Sequence, residues 1–251
     1  YFTKQFAVEH LIENSLEPAL QDHLVRLDKL DDDKAGQCFF DFRVADIAMG
    51  SGHFLISAID QIEKYFSNYL VKRPLPLVDN ELLSLYSAAE KSLDTHVDQI
   101  SIEDTQLLRR LIAKRCIYGV DINPIAVQLA RLAIWIHTFV PGLSLSLLDH
   151  NIIEGNSLVG IGQLSEIKDM LDAWENDESG NLSLFPINAQ DFLGDASEHL
   201  IKLAKIADAT ITDVKRSRKA MLDASKSIKP ASALCDIVTA CRIEKRRLPF
   251  V

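Results

Sequence analysis

The chain has 251 residues, 47% of them apolar, and a formal net charge of −9. That length and apolar content allow one α/β domain with a helical appendage. The charge argues against this piece alone gripping DNA, and no apolar run approaches the roughly 18 residues needed to cross a membrane.

In chain order, residues 1–36 read as a helical lead-in, with Phe6, Val8, Leu11, Ile12 and Leu16 at helical spacing. Pro18 is expected to break it, and the acidic turn Asp31-Asp32-Asp33 to close it. An apolar run (Phe39, Phe40, Phe42, Val44) then ends in an acid, Asp46, and turns through Gly50-Ser51-Gly52. An apolar-periodic segment, 54–69, follows. This is the order strand, tight glycine turn, helix. Glycines at 50 and 52 let the backbone pass close to a ligand where a Cβ would collide. The helix after them opens with unpaired N–H groups facing the same crevice. Asp46 only accepts hydrogen bonds, so it suits a ligand with ammonium or hydroxyl groups. The dinucleotide fingerprint needs a third glycine where this chain has Leu55, and no Gly-Lys-Ser/Thr phosphate cradle is present.

Residues 71–105, with Pro74 and Pro76 followed by polar helical sequence, read as an insertion. A second short apolar strand, Cys116 to Val120, ends in Asp121. Asn123 is a good helix N-cap, and Pro124 fits the first helical turn. Residues 125–137 predict a largely buried helix. An acid at the tip of a second strand is how such folds hold ribose hydroxyls. Further on, 165–174 reads as a helix and 176–195 as a long loop rich in Asn, Asp, Gly, Pro and Ser. Two helices, about 196–227 and 231–247, are expected as a hairpin divided by Pro230. Their apolar stripes are Leu200, Leu203, Ile206, Ala207, Ile211 and Val214, then Leu234, Ile237, Val238 and Cys241.

Residues 199–251 hold twelve Lys and Arg against five Asp and Glu, a net of +7 that leaves −16 for the rest. Lys215, Arg216, Arg218 and Lys219 form one basic cluster; Arg242, Lys245, Arg246 and Arg247 form another. They read either as solvated helix faces or as phosphate contacts from a helical arm. The four cysteines (Cys38, Cys116, Cys235, Cys241) lack Cys-x-x-Cys spacing and read as reduced structural thiols, with no metal site. Composition and thiol use fit a soluble, cytoplasmic protein.

At four places the sequence resembles a known family. Asp46-Ile47-Ala48-Met49-Gly50-Ser51-Gly52-His53-Phe54-Leu55 resembles the S-adenosylmethionine-binding motif of N6-adenine DNA methyltransferases, commonly Asp-Pro-Ala-Cys-Gly-Ser-Gly-x-Phe-Leu. Residues 118–127 (Tyr-Gly-Val-Asp-Ile-Asn-Pro-Ile-Ala-Val) are similar to their second motif, and 147–158 (Leu-Leu-Asp-His-Asn-Ile-Ile-Glu-Gly-Asn-Ser-Leu) to their third. Phe2-Thr3 and the helix after it are similar to the Tyr-Thr-Pro segment of the γ-ordered members. The nearest likeness is to the large single-chain methylases of type IIG-like restriction–modification and phage-defence systems, over roughly 1–165.

The resemblance implies a Rossmann-like methyltransferase sheet over 37–164, interrupted by the 71–105 insertion, with the helical lead-in before it and the helical region 165–251 after it. It implies S-adenosyl-L-methionine as cofactor, held by Thr3, Asp46, Ala48, Gly50, Gly52, Phe54, Asp121, Ile122, Asn156 and Ser157. Asp46 would order the methionine end, Asp121 the ribose hydroxyls and Ile122 the adenine ring. Asn156 would read the adenine amine, and Thr3 would close over the methionine carboxylate. The implied partners are double-stranded DNA, through the full-length protein, and restriction or defence-system subunits, with no membrane.

The sequence also departs from the family. Ile47, Met49 and Lys4 replace Pro, Cys and Pro, and position 156 carries Asn where many relatives have Asp. The family's catalytic tetrapeptide, Asn/Asp/Ser-Pro-Pro-aromatic, is absent from these 251 residues, so no catalytic residue is assigned. The chain is therefore expected to be an N-terminal fragment of a larger enzyme, inactive alone. Its start within a motif, without Met, supports that expectation. A non-catalytic DNA-binding or assembly module with a vestigial fold is an alternative that also lacks the tetrapeptide. A nicotinamide-dependent oxidoreductase is disfavoured by Leu55.

Overall fold

The computed structural model describes residues 4–93, 102–143, 148–163, 165–166, 206 and 211–244. Among the described residues it is a mostly helical α/β structure with a small parallel sheet of three strands, compatible with part of a Rossmann-like fold. The chain divides into two compact units. One comprises Tyr1–Gly155 with Ile206–Ser217, and the other Asn156–Lys205 with Arg218–Val251.

The lead-in is α1 (Gln5–Leu11), a π-helical turn (Ile12–Leu16) and α2 (Glu17–Asp28). Pro18 does not break the chain's helicity. It follows directly on the π-helical turn, whose wider hydrogen-bond pattern accommodates a residue without an N–H inside a continuous helix. The acidic triplet also departs from expectation, because it opens a helix. Asp31 is the N-cap of α3 (Asp32–Cys38), its carboxylate accepting from the Lys34 amide at 2.8 Å, with Asp32 and Asp33 on the favourable end of the helix dipole.

Strand β1 is only Val44–Asp46. The aromatics before it serve the core instead. Phe39 and Phe40 meet edge-to-face at 5.1 Å, and Phe39 lies 4.3 Å from Phe66 of α4 (His53–Lys72). Helix α4 buries Leu55, Ala58, Ile59, Ile62, Phe66 and Tyr69, one stripe at 3.6-residue period. Burying each large apolar side chain contributes about 1.5–3 kcal/mol before entropy. Arg73, just past α4, donates to the carbonyls of Leu27 and Leu30 and to Asp32, which fixes the lead-in against this helix.

The insertion contains α5 (Pro76–Ser92), and α6 (Asp104–Arg115) follows under a reciprocal Glu103/Gln106 capping box. Strand β2 (Ile117–Asp121) pairs parallel with β1, Val44 opposite Ile117 and Asp46 opposite Gly119. Helix α7 (Pro124–His137) crosses to β3 (Ile152–Glu154), which pairs with the other edge of β2, Asp121 opposite Glu154. The order β1-β2-β3 is compatible with the consecutive half of a doubly wound sheet. Both crossovers run the same way, so α4 and α7 lie on one face. Val44, Ile117, Gly119 and Ile152 are buried beneath them, while Ala45 and Ile153 on the opposite face are exposed.

Two further expectations are corrected. Helix α7 is buried along one face only, at Val127, Ala130 and Ile134. The hairpin at Pro230 does not form, and α8 (Ile211–Glu244) runs through Pro230 without a break. Pro230 is exposed, so the carbonyl one turn back that loses its donor is open to water. Of the expected helix 165–174, Ser165 and Glu166 are helical; its remainder, the loop at 176–195 and most of 196–210 lie outside the described residues.

Candidate functional site

The site is built where β1 and β2 end side by side. Asp46 closes β1, and its Oδ1 accepts from the Ala48 amide at 3.0 Å, a local side-chain turn that starts the loop. The Met49 amide then donates to the Val120 carbonyl at 3.2 Å, stitching the loop to β2. Gly50 (φ +56°) and Gly52 (φ +82°) both adopt left-handed backbone, which a side chain disfavours. A Cβ on Gly52 would also press on Ala130, 3.2 Å from its Cβ. A Cβ on Gly50 would meet nothing within 4 Å, so the space in front of the turn is open.

Helix α4 starts directly from this turn. The Ile56 amide bonds back to the Gly52 carbonyl at 3.0 Å, and the amides ahead of it have no acceptor within the helix. The His53 ring, at the first helical position, contacts Gln5 of α1 through Nε2 and Oε1 at 3.2 Å, which brings α1 beside the turn. Phe54 is half-buried and packs on the core.

Asp121 closes β2 and does more than sequence reasoning assigned to it. Its Oδ2 accepts from the Gly50 amide at 2.8 Å, and its Oδ1 from the Asn123 amide at 2.8 Å. One carboxylate therefore pins the glycine turn of the first strand to the helix start of the second. Each oxygen keeps a further lone pair for a ligand donor. Asn123 caps α7 as expected, its side chain accepting from the Ile125 amide at 3.0 Å. Ile122, 67% exposed, and Ile47, 59% exposed, present apolar surface at the same end of the sheet.

Of the ten residues expected to bind cofactor, the structure brings together Asp46, Ala48, Gly50, Gly52, Phe54, Asp121 and Ile122. Thr3 lies outside the described residues. Asn156 and Ser157 belong to the second unit; both are exposed, and Asn156 Oδ1 accepts from the Leu158 amide at 3.0 Å.

Two residues have structural roles that the sequence reading did not assign. Met49 is buried and reaches under the turn toward Gly119, where an added Cβ would collide with its Sδ and stand 2.9 Å from Leu55 Cδ1. A glycine inside a strand marks such close approach, and that signal was available at Gly119. Asn151 is the other. Buried before β3, its Nδ2 donates to the carbonyls of Lys114 and Ile117, both at 2.8 Å, and so sets β3 against the start of β2.

The arrangement can accept hydroxyl or ammonium donors on two carboxylates, admit a ligand close to a glycine backbone, and cover an apolar ring with Ile122. Among the described residues no helix is long and apolar enough to cross a membrane.

No family model matches the chain, and no solved structure matches it. It is similar to a protein of Methanocaldococcus jannaschii named "Putative type II restriction enzyme and methyltransferase", 30% identical over 128 residues. The match takes in 47% of this chain and 9% of that protein, so the matched piece spans about a tenth of the relative's length. The similarity supports kinship with the restriction–modification methyltransferases.

Proposed function

We propose that this chain is the S-adenosylmethionine-binding portion of a DNA methyltransferase that methylates adenine N6, working in a restriction–modification or phage-defence system. The observation that carries the cofactor reading is the Asp121–Gly50 link. It sets a left-handed glycine with open space before it against a carboxylate with spare lone pairs, at the carboxyl end of a parallel sheet, the usual ligand position in such folds.

The residues fit the cofactor. Asp121 takes the ribose hydroxyls, Asp46 the methionine ammonium end, Gly50 and Gly52 permit backbone approach, and Ile122 packs on the adenine ring. Ala48 and Phe54 shape the turn. For Thr3, Asn156 and Ser157 a part in cofactor binding rests on the family resemblance alone. When bound, the cofactor supplies a methyl group on a sulfonium. The target adenine must leave the stacked duplex for its N6 to be reached. Orienting it requires a Pro-Pro-aromatic element that this sequence lacks.

Isothermal calorimetry with S-adenosylmethionine, its demethylated product and NAD tests the reading. Binding of the first two is expected, and preference for NAD would overturn it. Labelled-methyl assays on DNA are expected to show no transfer by the 251-residue chain alone. Robust transfer would mean that the catalytic group lies within this sequence.

A further inference from the structure

A relay of side chains runs from the lead-in to the glycine turn. Gln5 of α1 donates through Nε2 to Glu9 Oε1 at 3.1 Å, and its own Oε1 lies 3.2 Å from Nε2 of His53, the first residue of α4. An ionised carboxylate accepts hydrogen bonds and does not donate them. Glu9 therefore draws the Gln5 amide nitrogen to itself and leaves the Gln5 oxygen facing His53. That oxygen too can only accept, so His53 Nε2 carries the hydrogen. In the neutral ring, Nδ1 is then an acceptor. Nδ1 has no partner among the described residues.

The place of this lone pair gives it a use. His53 follows Gly52 directly, in the turn whose open side lies before Gly50. The same turn starts at Asp46, one of whose oxygens already takes the Ala48 amide. An alkylammonium group brings several N–H donors and is satisfied only by more than one acceptor. Asp46 supplies one, and the relay holds a second ready on His53.

We propose that His53 is a further cofactor-binding residue, its Nδ1 accepting from the ammonium of the methionine moiety beside Asp46, with Gln5 and Glu9 as positioning residues that fix the ring's tautomer. The assignment rests on the S-adenosylmethionine reading of the site and adds to it a device that selects for the amino-acid end of the ligand. A ligand without the ammonium gains nothing from the relay. Acid removes the effect, because a proton on Nδ1 turns the acceptor into a donor and sets a second cation against the ammonium. The other ionisable groups on the elements around the ring are Lys4, Glu9 and His10 of the lead-in and Asp46 and Asp121 at the strand ends. On α7, Arg131 and His137 are held by Asp149 and Asp60.

Calorimetry of the whole chain with two ligands tests this: the demethylated cofactor, and methylthioadenosine, the same nucleoside thioether without ammonium or carboxylate. His53→Phe keeps a ring and loses both nitrogens. It should weaken the demethylated cofactor at least tenfold, the loss of a charged hydrogen bond, and leave methylthioadenosine unchanged. Gln5→Leu frees the tautomer and should cause a smaller loss, again for the first ligand alone. In wild type, affinity for the first ligand should fall between about pH 7.5 and 5.5, the imidazole range, and His53→Phe should lack that slope. Circular dichroism melts check each fold; should His53→Phe fold poorly, Gln5→Leu and the wild-type pH series decide. Equal loss of both ligands in His53→Phe would make the residue a support of the turn, and affinity rising with acid would make the ring a carboxylate partner. Either result overturns the proposal. Binding of the demethylated cofactor that is indifferent to His53→Phe also overturns it and leaves the cofactor reading standing. A wild type that binds neither ligand overturns the cofactor reading and this assignment with it.

Discussion

The Gly50 amide donates to the Asp121 carboxylate at 2.8 Å, joining two turns that stand 71 residues apart in sequence. The same carboxylate holds the Asn123 amide, so one side chain fixes both loop and helix start. Under the proposed function, ligand affinity and local stability are coupled at Asp121.

Asp121→Ala removes both acceptors. A hydrogen bond to a charged group is worth about 1.5–3 kcal/mol, so S-adenosylmethionine should bind at least tenfold more weakly. The orphaned amides should also lower stability by about 1–3 kcal/mol in urea titrations. Asp121→Asn keeps one carbonyl acceptor and should lose less stability than the alanine variant. Equal cofactor affinity of wild type and Asp121→Ala by calorimetry would remove the residue from the site.

Gly119 and Met49 form a second coupled pair. Gly119→Ala drives a methyl into the Met49 sulfur and Leu55, and overpacking of this kind costs about 1–3 kcal/mol. Shortening the neighbour should recover part of that stability, so Gly119→Ala with Met49→Ala is expected to be non-additive. A double-mutant cycle by urea unfolding measures the coupling. Strict additivity would show that the two side chains do not share this space.

The difference between what the sequence tells and what it hides follows from the range of each interaction. The glycine turn, the N-cap at Asn123 and the two strand-end acids are local signals, with turn chemistry and periodicity in a single window. The Asp121–Gly50 bond and the Met49–Gly119 packing connect separate windows, and no periodicity reports them. Phe39, Phe40 and Phe42 look like strand because they are apolar and closely spaced, yet Phe39 and Phe40 pack around Phe66 before the strand begins. Pro230 suggests a break because an interior proline removes a hydrogen bond, a cost that solvent offsets at an exposed position. The buried helix predicted at 125–137 is buried on one face, because hydrophobicity states that a face wants cover and not what covers it.

His23 gives a pH prediction. Its ring is buried between Phe42 and Phe66, and its Nε2–H donates to the Phe39 carbonyl at 3.1 Å. Burial pulls its pKa below the usual 6.5, and the carbonyl and Asp41 oppose that only partly. A histidine depressed in the folded state binds its proton more readily when unfolded. Its stabilising share is present above pH 6.5 and is lost as pH falls through the folded value. Urea unfolding between about pH 7.5 and 5.5 should show stability declining with acid, and His23→Gln should flatten the decline. Parallel slopes for the two proteins would assign the acid sensitivity elsewhere.

The basic residues of α8 provide the test that reaches DNA. Lys215, Arg216, Arg218 and Lys219 are all exposed and fan over one side of the helix, with Arg216 3.6 Å from Asp213. Arg242 of the second cluster is engaged with Glu166, and Lys245, Arg246 and Arg247 lie outside the described residues. If the first cluster touches DNA, it touches phosphates, so affinity should fall steeply with salt and depend little on sequence. Replacing all four by Ala should flatten the plot of log affinity against log salt by up to about one unit for each phosphate no longer neutralised. Residues 1–198 carry −16 and repel a duplex, so under the proposed function the measurement belongs in the larger enzyme rather than this chain. A salt slope that does not move in the four-fold variant would make the cluster a solvated helix face and nothing more.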